Sequence, residues 1–252
     1  MKEQKSKDKL DFIIETNETL ANAIRRSANE IPIIAVEEVE IHKNDSALFD
    51  EIIAHRIGLI PLREKRKLNE FEKCSCEGKG CNKCQIQISL KAKGPQTVYS
   101  GEFKGDVEII YEKMPITLLD KDQEIELIGF VKLGKAVNHA KFSPGLVYYR
   151  NISEIHVKNV EEAEKIISKL KESIINPPKG KVKSGEVYKC TKDLDYIETL
   201  LEEGSKAVEL KAGEDIVFFI ESWGQIEPKE IFNESVKALD KNLKEVLKVI
   251  KK

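Results

Sequence analysis

The chain reads as an α+β protein, and three features of its 252 residues point that way. Apolar residues recur at helical spacing near the amino terminus and again, over a longer run, at the carboxy terminus. Residues 86–135 hold short Ile/Val-rich runs, IQISL, VEIIY and IELIGFVKL, divided by Gly, Pro and Asp as strands are. Residues 151–205 mix two short helical patterns with a Pro/Gly/Lys-rich stretch.

The first helix is expected from about Asn17. Leu20, Ile24, Ala28 and Ile31 step along one helical face, Thr16 or Asn17 can cap its start, and Pro32 forces an exit. Arg25 and Arg26 lie off that apolar face. The run IIAVEEVEIH then reads as a strand whose alternation breaks at Glu37-Glu38. A second helix is expected from a cap at Asp45 or Ser46, with Leu48, Phe49, Ile52, Ile53 and Ile57 as its stripe. Gly58 sits where a left-handed terminating residue belongs, with Pro61 shortly after.

Residues 72–85 form a cysteine loop, and 136–150 read as a loop whose Pro-Gly turn leads into a strand. In 151–205, VEEAEKIISKL and LDYIETLLEEG flank NPPKGKVKSG, the texture of a small insert with its own β-α character. A strand follows at 215–221, and Trp223-Gly224 breaks it. The last helix starts at Pro228, which suits a first turn. Phe232, Val236, Leu239, Leu243, Val246 and Ile250 then alternate steps of four and three, the a/d spacing of a helix seam. About 25 residues at 1.5 Å rise would run roughly 37 Å. The stripe either packs on the chain's own core or meets a helix of another chain; its length and regularity favour the second.

Composition narrows the function. The 42 basic and 44 acidic residues give a net charge of −2, without the basic excess of a dedicated nucleic-acid binder. No run approaches the roughly 18 apolar residues of a membrane span, and MKEQKSKDKLDF lacks the apolar core of a secretory signal. The reading is of an intracellular, cytoplasmic protein.

Cys74, Cys76, Cys81 and Cys84 form a C-x-C-x4-C-x2-C cluster with Gly78 and Gly80 in the turn. Four thiolates enclose a tetrahedral Zn²⁺ with no position left for water, which makes such a site structural. A loop this short has no core of its own, so metal binding would stabilise it. The alternatives are reduced or oxidised thiols around an empty site, or iron. Cys190 stands apart as a buried or incidental thiol. Arg25-Arg26 reads as a solvated helix edge or an interface anchor. His55 and His139 have no nucleophile, carboxylate or second histidine at useful spacing, and His55 falls in a last helical turn where a cation is favoured. There is no phosphate-binding glycine loop, HExxH, GxSxG or Mg²⁺-type aspartate cluster, so an independent enzyme is not the expected function.

Three segments in order resemble one family. NETLANAIRRSANEIPIIAVEEVEIHKNDSALFDEIIAHRIGLIPL (17–62) is similar to the alpha motif shared by the D-type subunit of archaeal RNA polymerase, the third-largest subunit of eukaryotic RNA polymerase II and the amino-terminal domain of bacterial alpha. HAKFSPG (139–145) and ESWGQIEP (221–228) resemble the archaeal D-type chains as well. The resemblance implies an α+β architecture with a discontinuous alpha-like dimerisation domain, 1–45 and 212–252. An inserted mostly-β domain, 46–150 with 206–211, would carry the zinc loop and a small ferredoxin-like insert, 151–205. It implies a scaffold that pairs with a small alpha-like subunit, L, then gathers subunits N and P and the large catalytic subunits, where nucleotidyl transfer resides. The pairing interface would combine Phe232, Val236, Leu239, Leu243, Val246 and Ile250 with Leu20 and Ile24. Arg25, Arg26, His139, Lys141 and Phe142 would dock a large subunit. Many D-type chains carry an iron–sulfur cluster in the insert. Here that region has only Cys190, and one thiolate cannot hold a cubane, so no cluster is expected. The rival reading is a stand-alone zinc-stabilised nucleic-acid-binding module.

Overall fold

A computed structural model of the chain describes residues 4–251 except 6, 78, 172, 176, 179, 192–194, 203 and 204, with the side chains of 4, 5, 72 and 196 also outside the description. Its helices are α1 (Glu18–Ser27), α2 (Asp50–Gly58), α3 (Val160–Lys169), α4 (Asp195–Glu202) and α5 (Pro228–Ile250). The strands that matter most are β1 (Lys9–Ile14), β2 (Pro32–Asn44), β3 (Gln85–Lys93), β4 (Glu124–Lys135), β5 (Gly145–Val157), β6 (Val187–Cys190) and β7 (Val208–Ser222). Helix and sheet are mixed, as an α+β chain requires. The residues group into two compact units, Met1–Arg25 with Val147–Ile220, and Arg26–Leu146 with Glu221–Lys252.

The first unit is built on a sheet in the order Gln4–Lys5, β1, β7, β5, β6. β5 and β6 run antiparallel, with Ser153 opposite Cys190, Glu154 opposite Lys189, and His156 opposite Val187. Side chains alternate faces along such strands. Ile155 and Val157 of β5 and Tyr188 and Cys190 of β6 therefore share a face, where they pack with Ala163, Ile166 and Ile167 of α3 and Ile197 of α4. Asn159 starts α3 by accepting a hydrogen bond from the Glu161 N–H. Cys190 is wholly buried in this core, the first of the two alternatives read for it. Further along the sheet, Phe12 stacks on Phe218 at 5.7 Å and Tyr149 tilts against Phe218 at 5.8 Å.

The second unit holds a sheet in the order β2, β4, β3, Lys104–Gly105. β3 alternates cleanly, burying Ile86, Ile88, Leu90 and Ala92 between more exposed polar neighbours. The broken alternation at Glu37-Glu38 is a β-bulge: Phe130 faces Glu38 and Val131 faces Val36, so Glu37 has no residue opposite. A second bulge falls at His42, between the Leu127–Ile41 and Glu126–Lys43 pairs. Pro32–Asn44 thus pairs along β4, and residues 151–157 and 187–190 share a sheet with β1 and β7. The compact units divide the chain after Arg25, Leu146 and Ile220.

Three expectations for α2 need correction. The helix starts at Asp50 with Phe49 in the cap position, not at Asp45 or Ser46. Those side chains are engaged in the preceding turn: Asp45 accepts from the Glu124 N–H, and the Ser46 hydroxyl donates to Asn44 Oδ1. The expected stripe narrows too, since Ile53 and Ile57 are buried while Phe49 is 79% exposed. Gly58 is the last helical residue and not a left-handed one; left-handed glycines among the described residues are Gly80, Gly185 and Gly224. The Leu59 N–H bonds Arg56 O and the Ile60 N–H bonds Ile57 O, so the helix unwinds through tighter i→i+3 bonds before Pro61. No left-handed residue is needed for that ending.

Candidate metal centre and assembly surfaces

The four cysteines of the 72–85 loop converge. Cys74 and Cys81 Sγ lie 3.6 Å apart, Cys76 and Cys84 3.6 Å, and Cys81 and Cys84 3.8 Å. All four sulfurs lie within 4.8 Å of one another. Tetrahedral ligands at a Zn–S distance of about 2.3 Å stand about 3.8 Å apart. The donor set and its spacing therefore fit one tetrahedral ion held entirely by sulfur.

The backbone explains the convergence. Cys81 O accepts from the N–H groups of Cys84 and Gln85, closing the turn that carries the second pair. Between the pairs, Glu77 (φ 52) and Gly80 (φ 77) are left-handed among the described residues. The positive φ favours glycine at Gly80; a Cβ there would also meet Gln85 Oε1 at 2.5 Å, the movable end of a side chain. Gly78, expected to share the turn, lies outside the described residues. Phe71, three residues before the cluster, lies under the Lys132 ammonium of β4 at 4.2 Å, and Lys132 also pairs with Glu38 at 2.7 Å. These contacts fasten the loop to the sheet.

The thiols are unequal. Burial pushes Cys84 up to about 12. Burial also raises Cys76, but hydrogen bonds from Cys84, Cys74, Cys81 and the Gly80 backbone outweigh it and bring Cys76 to about 7. Crowded thiolates repel, so one ionises early and its neighbour late; a cation would allow all four to ionise together.

At α1, Asn17 caps the helix by accepting from the Leu20 N–H at 2.9 Å. Arg25 is partly buried, with Nε and Nη2 donating to Asn22 Oδ1 at 3.1 and 2.9 Å, whereas Arg26 is exposed. Leu20 is 45% exposed, but Ile24 is buried within the chain itself. Of the expected pairing residues on this helix, Leu20 alone faces out.

The 139–145 segment is a single turn over β2 and β4. His139 is exposed, and its Nδ1 accepts from the Lys141 N–H at 3.1 Å. Lys141 pairs with Glu37, the bulged residue, at 2.5 Å. Phe142 is buried, so it anchors this turn instead of presenting a surface. His55, by contrast, lies exposed in the last turn of α2, with no carboxylate partner among the described residues.

A set of bonds that the sequence reading missed joins the two carboxy-proximal motifs. The Trp223 N–H donates to Pro144 O at 3.3 Å. Gln225 Nε2 donates to Ile34 O and Leu62 O at 3.2 and 3.1 Å, while Arg63 donates to Gly224 O and Gln225 O. The WGQ tripeptide was visible, but nothing local in the chain marks carbonyls 191 and 163 residues away as its acceptors.

α5 behaves as two halves. Near its start Ile231 and Ser235 are buried, and the helix packs on the turn at 28–30. Phe232 and Leu239 are partly buried. Beyond them Leu243 is 56%, Val246 55% and Ile250 74% exposed, and Leu247 and Val249 are exposed beside them. The heptad stripe thus runs off the chain's own core into solvent.

A family model described as the RNA polymerase Rpb3/RpoA insert domain matches residues 39–148. DNA-directed RNA polymerase subunit Rpo3 of Pyrococcus horikoshii is 35% identical over 243 residues, 94% of this chain and 91% of that one. The Rpo3 subunit of Pyrococcus furiosus is 34% identical over 243 residues, covering 94% and 90%. That of Archaeoglobus fulgidus is 29% identical over 250 residues, covering 96% and 94%. No helix among the described residues is long and apolar enough to cross a membrane.

Proposed function

The chain belongs to the family of DNA-directed RNA polymerase subunit Rpo3, the D-type subunit of archaea, and on that premise we propose how it serves the polymerase. It is a non-catalytic assembly subunit that joins other polymerase subunits. Its pairing surface is the apolar stripe of α5, with Phe232, Val236, Leu239, Leu243, Val246 and Ile250 as the seam and Leu20 of α1 as a further contact. The partner is a small alpha-like subunit of the L type, whose own helix supplies the matching knobs.

One observation carries this reading: a regular a/d stripe continues along α5 after the helix has left its own core. Exposed apolar surface of that extent on a regular helix marks a place where another protein packs. Arg25, Arg26 and the exposed His139 turn are the docking points for a large subunit, with Lys141 and Phe142 holding the turn in place. Subunits N and P join the same platform. The four cysteines hold one Zn²⁺, which closes the 72–85 loop and takes no part in chemistry. The near-neutral charge leaves the rival nucleic-acid module without an observation in its favour.

Co-expression with an L-type homologue tests the pairing. A 1:1 complex on gel filtration is the expected result. A stable lone monomer in the presence of that partner would sink the proposal.

A further inference from the structure

Residues 165–183 carry six lysines against one glutamate, in a chain whose total charge is −2. Lys165, Lys171, Lys181 and Lys183 are exposed, and no carboxylate among the described residues pairs with any of them. Other lysines of the same unit are matched: Lys158 pairs with Glu209 at 2.9 Å and Lys189 with Asp215 at 2.7 Å. The four unmatched lysines stand around one small core. Lys165 precedes Ile166, Lys171 follows Leu170, and Lys181 and Lys183 flank Val182; those apolar neighbours are all buried together with residues of α3 and α4.

The loop that carries Lys181 and Lys183 is fastened at its middle and its end. Val182 is buried, the Gly185 N–H donates to Val157 O at 3.0 Å, and the Ser184 hydroxyl donates to Lys158 O at 3.4 Å. Both lysines line an open cleft of about 620 Å³, with Pro178, Gly180 and Val187 beside them. Glu186, the acid of that cleft, is already engaged: it accepts from the Lys183 N–H at 3.0 Å and from the Tyr188 hydroxyl. The Tyr188 ring is buried, so the cleft offers charge without an aromatic platform on which a base could stack.

We infer that this lysine loop contacts the phosphate backbone of duplex DNA while the assembled polymerase holds its template. Several unmatched cations around one small core suit a polymer of phosphates, along which each ammonium finds its own partner. The lack of an exposed ring in the cleft suits paired bases over unstacked single strands. Duplex DNA is the polyanion at hand, because the relatives of this chain are subunits of a DNA-directed enzyme. A total charge of −2 makes the isolated chain a poor binder, so the contact adds to a duplex that the rest of the enzyme already grips. This inference rests on the chain's place as a polymerase subunit.

The test uses the full chain assembled with the other polymerase subunits, on a template with a preformed bubble and duplex to either side. A Cβ at Gly180 meets nothing within 4 Å, so a photoreactive benzoylphenylalanine fits there; a second preparation carries it at the exposed Glu202 of α4. Irradiation should link position 180, and not position 202, to DNA. Affinity for the template is then measured across a range of salt. Lys181→Gln with Lys183→Gln should reduce the slope of log affinity against log salt by about 1.8, the loss of two phosphate contacts. Glu198→Gln with Glu202→Gln shifts the net charge equally in the other direction and should leave the slope unchanged. An unaltered slope in the lysine variant, or an equal change in the glutamate variant, would overturn the inference. So would links from position 180 to protein alone, which would assign the loop to an acidic segment of another subunit, or no links at all. Gel filtration reads assembly separately: an unsubstituted chain that stays out of the complex would remove the subunit role and this contact together.

Discussion

The ring of Phe142 rests on Gly134: a Cβ added to that glycine would lie 2.5 Å from the ring. The 139–142 turn thus docks on the sheet by filling the space a side chain on β4 would otherwise occupy. Gly134→Ala should destabilise the chain by about 1–3 kcal/mol, because the ring must leave its place. In a Phe142→Ala background the same change should cost less than about 0.5 kcal/mol. Denaturant unfolding of the four proteins in this cycle checks it, and equal costs in both backgrounds would disprove the close approach.

Leu243 and Leu239 should respond differently to a charge. Leu243 is more than half exposed, so Leu243→Asp should change the isolated chain's stability by no more than about 0.5 kcal/mol. Pairing with the alpha-like partner should nonetheless be lost, since the carboxylate would be desolvated at the seam. Leu239→Asp falls on a partly buried position and should weaken the fold as well as the pairing. Gel filtration and thermal unfolding, run together, separate the two effects.

Gln225 should matter out of proportion to its size. Its amide satisfies two backbone carbonyls, Ile34 O and Leu62 O. Gln225→Ala should cost about 1–3 kcal/mol by leaving both acceptors without their donor. Gln225→Glu should cost more, because a carboxylate would face two carbonyl oxygens. Urea midpoints for the two variants give the order.

The cysteine loop should bind about one zinc per chain by elemental analysis, and Cys84→Ser should abolish high-affinity binding. Cys76 ionises at about 7, below the ordinary thiol value of 9.0, and its thiolate is therefore lost as pH falls through about 7. Zinc must then compete with an additional proton, so apparent affinity should fall more steeply below that pH than above it. Competition against a chromophoric chelator between about pH 8 and pH 6 measures the slope. A flat profile would show that these thiols do not hold the metal.

Much of this architecture is legible in the chain because the physics is local. The alternation of β3, the Asn17 cap and the stepping of α5 each depend on neighbours a few residues away. The cysteine cluster is legible for the same reason, since all four sulfurs come from one short loop. What the sequence conceals is settled over long distances. Asp45 and Ser46 look like caps for α2, but the Glu124 N–H and Asn44 claim them first. The broken alternation at Glu37 looks like a weak strand, yet it is a bulge whose extra residue anchors Lys141. Ile24 and Phe142 look like interface residues, and the fold buries both. Arg150 carries no motif at all; its place beside the buried ring of Phe219 becomes visible only when β5 and β7 are side by side.

The outward half of α5 also sets a condition on supply. An unpaired copy carries a strip of leucine, valine and isoleucine in water, a feature that drives self-association and attracts chaperones and proteases. Overproduction without the proposed partner should therefore yield aggregate or degradation in place of a reserve.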